Sequence, residues 1–414
     1  MLLVGPILAQ VATASVAARV EGRYVATIDR HYEAAARPLA GLDVDWRHFD
    51  LTLRYGPSFT VLPVESASRE LIIFHNAYLG GVYNWGRTQL EINESGGYGV
   101  RNFYALALSD PRVETVAPPP SMPPVSNPGA PGAPSTGTGS TGTGSTGTGM
   151  LAPPAAALNS QNVRFIASTS TVAVQHRPAV HTMLRAEFSY LISGAALEAD
   201  RATYPLIRGP RASTTERYEL TRTDALLSTQ TLQYASISAA QYAWIANVSE
   251  LWSHEFSRET STQLGVGLSG TQSPAVNNFV AYSIYPTFTA GLVSATSLER
   301  GKFSISFQAS AAPAIDLITA AVDPRVSFGT ITSWARDRFS ISLGADGSIS
   351  LAAHSNLGSL SAVGAGAAVA YRLGALVSVD AGARVAYQNF QGNANIPFSQ
   401  AIFVGLNFAL DKRL

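Results

Sequence analysis

Two short patterns in the chain resemble parts of known catalytic or cofactor sites, but neither is complete. Gly265, Gly267 and Gly270 have the letter spacing of a dinucleotide loop. That loop needs a helix directly after it, so that the helix N-terminus can hold the pyrophosphate, whereas Thr-Gln-Ser-Pro follows here. His254-Glu255 lacks the second histidine of a zinc helix. The sequence therefore predicts no cofactor and no metal site.

Nucleophilic catalysis has equally little support. The chain contains no cysteine, which excludes thiol chemistry and disulfides. Its seven histidines, for example His75 and His181, are scattered among Ser and Asp without a compact constellation. We expect the protein not to be an enzyme. The alternative is a catalytic Ser-His or Asp-His pair at the rim of a barrel.

The elements that position these residues are β-strands. Residues 303–307 (Phe-Ser-Ile-Ser-Phe) and 339–343 (Phe-Ser-Ile-Ser-Leu) alternate apolar with small polar side chains. A period of two puts the apolar residues on one face of a strand and the polar residues on the other. Many such strands without helical periodicity between them must hide their edges, and closure into a barrel does this. The pattern predicts an all-β, antiparallel transmembrane β-barrel.

Tight charged turns alternate with longer connections rich in Gly, Asn, Pro and Ser, and together they delimit the strands. We predict about 18 strands, with 16 as the nearest alternative. The predicted strands are 20–33, 39–46, 49–61, 70–84, 88–101, 162–177, 181–195, 212–222, 224–236, 240–256, 258–270, 278–294, 302–315, 321–335, 338–352, 360–372, 374–390 and 398–411. Short turns then lie in the periplasm and the longer loops lie outside the cell.

The two faces of these strands predict which side chains meet lipid and which meet water. Rows of Val, Ala, Ile and Phe suit lipid, while Ser, Gln, Asp and Arg would be costly there and suit a hydrated lumen. The residues that we expect to line the lumen are Gln263, Ser342, Asp346, Asp380, Arg384 and Gln388. In an alternative reading the polar face meets bulk water on a soluble β-sandwich.

Aromatic residues near the charged turns support the membrane reading. An amphipathic ring settles at the level of the lipid headgroups, so a ring of such residues is expected at each boundary. We assign to this girdle Trp46, Trp85, Trp252, Trp334 and Tyr371.

Composition narrows the class of partner. Only 14% of the 414 residues are charged and the net charge is zero, so the chain has no basic stripe for nucleic acid. The uncharged stretch 351–371 is interrupted by Ser, Asn, His and Gly, which indicates strands and a loop rather than a membrane helix. The expected surroundings are outer-membrane lipid.

Two segments lie outside the predicted wall. Residues 1–18 are apolar and small and end in Ser-Val-Ala-Ala, which suits a signal peptide cleaved after Ala18; the alternative is a buried N-terminal helix. Residues 112–160 are rich in Pro, Gly, Ser and Thr, with three copies of Ser-Thr-Gly-Thr-Gly. This composition predicts a disordered extracellular loop within a barrel spanning 19–414; the alternative is a linker after a small N-terminal β-domain.

The segments 87–99 (RTQLEINESGGYG), 204–210 (YPLIRGP) and 222–227 (RTDALL) resemble parts of large outer-membrane barrels of myxobacterial type. Some barrels of this kind are porins that secrete exopolysaccharide with a periplasmic export protein, and the resemblance implies that function. The C-terminal residues 402–410 also resemble the signal that the barrel-assembly machinery reads, although Asp-Lys-Arg-Leu follows them.

Together these observations predict a barrel in the cell outer membrane that forms a passive pore for a hydrophilic solute or polymer. Sugar polymers favour walls with many hydrogen-bonding groups and little net field, which the predicted lumen has. The alternative is a structural or adhesive scaffold that transports nothing and displays the Ser-Thr-Gly loop outside the cell.

Overall fold

The alternation of apolar and polar side chains favours β-strands, and the computed structural model shows that these strands form one closed antiparallel sheet. The residues that the structure describes are 11–26, 30–63, 69–102, 162–201, 205–238, 241–257, 259–273, 281–298, 301–315, 322–351, 360–390 and 399–413. No helix within these ranges is long and apolar enough to cross a membrane.

The strands follow one another around the wall, each antiparallel to the next. In chain order they are β1 (Val11–Ala26), β2 (Arg30–Asp45), β3 (Phe49–Tyr55), β4 (Ser58–Pro63), β5 (Arg69–Trp85), β6 (Thr88–Asn102), β7 (Asn162–Ala179), β8 (Thr182–Ala195), β9 (Ile207–Glu219), β10 (Asp224–Ser238), β11 (Gln241–Ser257), β12 (Thr260–Ser273), β13 (Ala281–Leu298), β14 (Gly301–Ile315), β15 (Val322–Arg336), β16 (Phe339–Ser350), β17 (Leu360–Arg372), β18 (Val377–Phe390) and β19 (Ser399–Arg413). A short 3₁₀ turn, Glu198–Asp200, follows β8.

Pairing of the first and last strands closes the ring. β1 pairs with β19 from Thr13–Arg413 to Ala26–Gln400, so neither strand presents a free edge there. Both β3 and β4 pair with β2 on one side and with β5 on the other, and they therefore occupy one position in the wall. The 19 strands give 18 positions, which confirms the predicted fold and strand number.

The wall position shared by β3 and β4 is interrupted at Gly56 and Pro57. The pairing of this position with β2 passes from Ala36–Phe59 to Ala40–Tyr55 without the register pairs between them. That register puts Pro38 opposite Pro57, and proline has no amide hydrogen to donate to a ladder. The single strand predicted for 49–61 is therefore divided in two.

The N-terminal part of the wall differs from the sequence prediction. The first two strands, expected at 20–33 and 39–46, are longer and begin at Val11 and Arg30. Val11–Ala18, assigned above to a signal peptide, lie in β1 opposite Asp45–Pro38 of β2. Cleavage after Ala18 would remove half of β1, so this pairing is at odds with the cleavage site, which stays a prediction. Residues 1–10 and the loop 112–160 lie outside the described residues.

Removal of residues 1–18 tests whether these residues belong to the wall. A chain starting at Arg19 loses half of the β1 pairing to both neighbours, so we expect it not to close into a barrel, whereas a chain starting at Val11 closes. The measurement is refolding into detergent micelles, followed by the heat-dependent shift in gel mobility that a closed barrel shows. Equal closure of the two chains would support cleavage after Ala18.

Candidate functional site

Exposure shows which face of each strand points outward. On β12, Leu264, Val266 and Leu268 are 47–65% exposed, while Ser269 and Thr271, which follow them on the strand, are buried. A continuous row of large apolar side chains with this exposure lies on the convex side of a closed wall, where nothing packs against it. The alternation therefore gives an apolar outer belt and a polar inner wall, the architecture of an outer-membrane β-barrel. The protein lies in the outer membrane accordingly.

The inner wall carries a dense charged cluster where the ring closes. This seam cluster comprises Arg19, Glu21, Arg23, Glu33, Arg37, Asp380 and Asn407, from strands β1, β2, β18 and β19. Arg23 Nη2 donates to Glu21 Oε1 at 2.7 Å, and Arg19 Nε donates to Glu21 Oε2 at 2.8 Å. Arg37 Nη1 lies 3.7 Å from the same carboxylate. Glu21 is thus a buried charge compensated by three guanidinium groups.

Arg19 connects this cluster to β18 across β19. Its two terminal nitrogens donate to the two carboxylate oxygens of Asp380 at 3.1 and 2.8 Å, and Asn407 Nδ2 donates to Asp380 Oδ1 at 2.5 Å. Gly405 lies on β19 between Arg19 and Asp380, and a Cβ added there would stand 2.9 Å from Asp380 Oδ1. The missing side chain lets the ion pair lie flat against the wall.

A second ion pair repeats this arrangement farther around the wall. Arg384 Nη2 on β18 donates to both oxygens of Asp346 on β16, at 2.7 and 2.9 Å. The guanidinium crosses β17 at Gly364, where a Cβ would lie 2.8 Å from Arg384 Nη2. Interactions between strands that are not neighbours require both side chains on one face, so Asp346 and Arg384 share the inner wall.

Two more arginines on the inner wall, on β8 and β3, are also paired with carboxylates. Arg185 Nη2 on β8 donates to Glu91 Oε2 on β6 at 2.8 Å and to Glu187 Oε2 at 3.1 Å. Arg54 Nη2 on β3 donates to Asp43 Oδ2 on β2 at 2.6 Å. In each case the positive group has a carboxylate beside it, which limits the net field that the lumen presents.

The wall formed by β10–β14 is different, because hydroxyl and amide groups replace the charges. Ser304 and Ser333 share a hydrogen bond of 2.6 Å, and Ser269 Oγ donates to the carbonyl of Ala246 at 3.1 Å. Away from the strand ends, the described inward positions of β10–β14 hold no Asp, Glu, Lys or Arg. We call these strands the hydroxyl arc.

The six residues predicted to line the lumen fall on three strands. Gln263 on β12, Ser342 and Asp346 on β16, and Asp380 and Arg384 on β18 alternate with outward apolar residues and so lie on the inward face. The structure brings Asp346 and Arg384 together, while the other three are apart from that pair. Gln388 pairs with Ala362, but its side chain lies outside the described part.

Sequence reasoning found Asp380 but missed the rest of the seam cluster. It placed the first strand at 20–33 and so left Arg19 beside the expected cleavage site. The spacing Arg19-Glu21-Arg23, with alternating charges two residues apart on one strand face, was the available signal. It also missed Arg185 and Glu91, because their partnership crosses from β8 to β6 and has no local pattern.

The predicted girdle residues lie at or near the short turns. Trp85 is 72% exposed at the end of β5, and Tyr371 is exposed near the end of β17. Trp252 Nε1 donates to Asp224 Oδ1 at 3.1 Å. The other two contact phenylalanine rings: Trp46 stacks on Phe49 at 5.2 Å and Trp334 contacts Phe339 at 6.1 Å. Lipid contact by these five rings stays a prediction.

A second aromatic group lies toward the opposite ends of the strands. Tyr234 on β10 contacts Trp244 on β11 at 4.8 Å between ring centroids, and Tyr242 is close by. Trp244 and Trp252 are eight residues apart on one face of β11. At about 3.3 Å per residue and a tilt near 45°, this corresponds to roughly 19 Å along the barrel axis, similar to the belt of an outer-membrane barrel.

The patterns considered first for chemistry have structural roles in the wall. Gly265, Gly267 and Gly270 lie within β12, which is paired on both sides, so no helix follows them there. His254 Nδ1 lies 2.8 Å from Asp224 Oδ1 at a short turn. Within the described ranges, no group of three His, Asp or Glu residues is placed to hold a metal ion.

No protein-family model and no curated protein matches the chain. Among solved structures, the outer-membrane protein OpdK of Pseudomonas aeruginosa is similar at 11% identity and a TM-score of 0.45, covering 97% of this chain and 99% of that chain. OccAB3 of Acinetobacter baumannii is similar at 7% identity and 0.46, with the same coverage. OccK2 (OpdF) of P. aeruginosa, solved in complex with glucuronate, is similar at 10% identity and 0.45, with coverage of 96% and 98%.

Charge removal at Glu21 should destabilise the barrel strongly. Glu21→Gln leaves Arg19, Arg23 and Arg37 without their shared buried carboxylate, and the free energy of unfolding should fall by about 3 kcal/mol. The measurement is denaturant unfolding in micelles. Asp346→Asn is the matched control: that side chain is 47% exposed with one partner, and the expected loss is about 1 kcal/mol or less. Equal losses would contradict the role assigned to the seam cluster.

Proposed function

We propose that the barrel is a passive pore for hydrophilic solutes. The observation that carries this proposal is the accessibility of the inner wall. Asp346, Gln308 and Ile331 point inward, yet Asp346 is 47% and Ile331 41% exposed, and Gln308 is exposed as well. Side chains that plugged the lumen at these positions would cover one another. Solvent therefore reaches this part of the wall.

The chemistry of the wall supports hydrophilic rather than ionic selectivity. Charged groups are paired along the wall, so their fields largely cancel, and the hydroxyl arc offers donors and acceptors without charge. A solute exchanging its hydration for such groups would pass by diffusion. We infer no covalent step, because the inner wall arranges ion pairs and hydroxyl pairs rather than a nucleophile beside a base.

The hydroxyl arc favours a finer hypothesis, namely that the cargo is a secreted polysaccharide. A sugar polymer would use the continuous run of uncharged hydrogen-bonding side chains on β10–β14. This hypothesis includes a periplasmic export protein as a partner at the short turns. Insertion by the barrel-assembly machinery is proposed for the chain in either case.

Single-channel recording tests the pore. Protein reconstituted into a planar bilayer should give discrete conductance steps, whereas a scaffold with a closed lumen gives none. Gly364→Val is the more specific test. The valine side chain displaces the Arg384 guanidinium into the lumen, so the size of the conductance step should fall. Overpacking at this position should also cost about 1–3 kcal/mol in unfolding free energy.

Gly22→Val is the control for that recording. Gly22 faces outward on β1 with open space around it, so the same substitution should leave the conductance unchanged. A step unaffected by Gly364→Val would contradict the position assigned to Arg384.

Swelling of proteoliposomes separates small solutes from a polymer. Sugars from mono- to oligosaccharides should enter at rates that fall with size if the pore serves small solutes. Retained permeability to long oligosaccharides, lost when hydroxyl-arc residue Gln308 is changed to Leu, would favour the polymer. No swelling with any sugar would support the scaffold instead.

A further inference from the structure

The outer belt is apolar around most of the wall, but carboxylates interrupt it in two places, at Glu94 on β6 and on β9–β11. In β1–β5 and β12–β19, the described outward positions away from strand ends hold no Asp, Glu, Lys or Arg. On β9–β11 five polar residues interrupt this belt. We call them the outer polar patch: Thr214, Glu216, Ser228, Gln230 and Glu250.

Register and burial place these side chains together on the outer face. Ser228 lies opposite Glu216 of β9 and opposite Glu250 of β11. Their sequence neighbours Leu227 and Leu251 are buried and point inward, whereas both glutamates are exposed. Two strand spacings, about 10 Å, separate the Cα atoms of the two glutamates, whose flexible side chains can converge on one group between them.

The patch lies inside the aromatic boundary, and its carboxylates have no partner among the residues that the structure describes. Glu250 precedes Trp252 by two residues on β11. With the strand tilt included, Glu250 lies about 5 Å deeper in the membrane than Trp252. No hydrogen bond or ion pair joins Glu216 or Glu250 to another described residue. An uncompensated charge on a lipid face is unfavourable, so this surface calls for an external cation.

Donors and acceptors occur in a fixed order along the strands. Nearest the short turns are the carboxylates of Glu216 and Glu250; one step closer to the bilayer centre are Thr214 and Gln230, which lie opposite each other and can donate hydrogen bonds. A phospholipid presents the complementary order, because its phosphate lies between the acyl chains and the terminal amine. A primary ammonium carries three N–H donors for carboxylates.

We propose that the outer polar patch binds the headgroup of a phospholipid with a primary ammonium, in the leaflet on the side of the short turns. The ammonium pairs with Glu216 and Glu250, and the phosphate accepts hydrogen bonds from Gln230, Thr214 and Ser228. A second copy of this chain fits the patch less well. Away from strand ends, the outer faces outside β9–β11 that the structure describes offer no Lys or Arg to match the carboxylates.

Native mass spectrometry of the full chain in detergent tests this site. The probes are dioleoylphosphatidylethanolamine, which has a primary ammonium, and dioleoylphosphatidylcholine, whose nitrogen has no hydrogen to donate. Wild-type protein should retain one phosphatidylethanolamine about tenfold better than phosphatidylcholine, in line with charge-assisted hydrogen bonds. E216Q/E250Q should abolish this preference.

Glu94→Gln is the matched control. Glu94 is another outward carboxylate, on β6, but its Oε1 accepts a hydrogen bond from Ser168 and it lies outside the patch, so the lipid preference should persist. Gln230→Leu keeps both carboxylates and should weaken retention several-fold, which covers the case in which the double variant does not fold. Gel mobility before and after heating checks folding.

Three outcomes would overturn the proposal: equal retention of the two lipids, unchanged retention in E216Q/E250Q, or a dimer of the wild type that this variant loses. The last would assign the patch to a second copy. Conductance is recorded on the same preparations. Because the patch lies on the outer face, failure of lipid binding leaves the pore proposal intact. Likewise, absence of conductance leaves the lipid-binding proposal intact.

Discussion

The fold depends on one constraint: in hydrocarbon, the hydrogen-bonding groups of the backbone must be satisfied within the protein. A sheet meets this requirement only when its first and last strands pair, and here β1 and β19 do so along almost their whole length. Apart from β3 and β4, which share one position between β2 and β5, the other strands join only their neighbours in sequence. Closure therefore determines the register of the wall, and the register determines which side chains meet lipid and which meet the lumen.

Closure also explains where the charges are. Every second residue of a strand must point inward, so charged residues tolerated on the inner face accumulate there and need partners. The seam cluster satisfies this need across four adjacent strands, with Glu21 at its centre. Glycine at positions 364 and 405 lets arginines reach across a strand without projecting into the lumen. A polar wall and an accessible lumen are thus compatible.

The strands were largely predictable because their information is local. Alternation and turn composition located the strands after β2 to within a few residues, apart from the start of β9 and the break between β3 and β4. The N-terminal strand was predicted poorly, since residues 11–18 are small and apolar both in a membrane wall and in an export signal. The pairing of Asp346 with Arg384 was beyond sequence reasoning, because it depends on register across β17. Asp346 and Arg384 were individually recognisable as inward residues for a simpler reason: each alternates with apolar neighbours.

The opposed prolines of β2 and the broken strand beside it have a mechanical consequence. Neither Pro38 nor Pro57 can donate to the ladder, so between Ala36–Phe59 and Ala40–Tyr55 the two strands have fewer cross-links than they have on either side. When lateral pressure in the bilayer flattens the barrel, the wall should bend mainly where these cross-strand hydrogen bonds are missing. The barrel thus has a preferred axis of deformation that its otherwise regular wall would not provide.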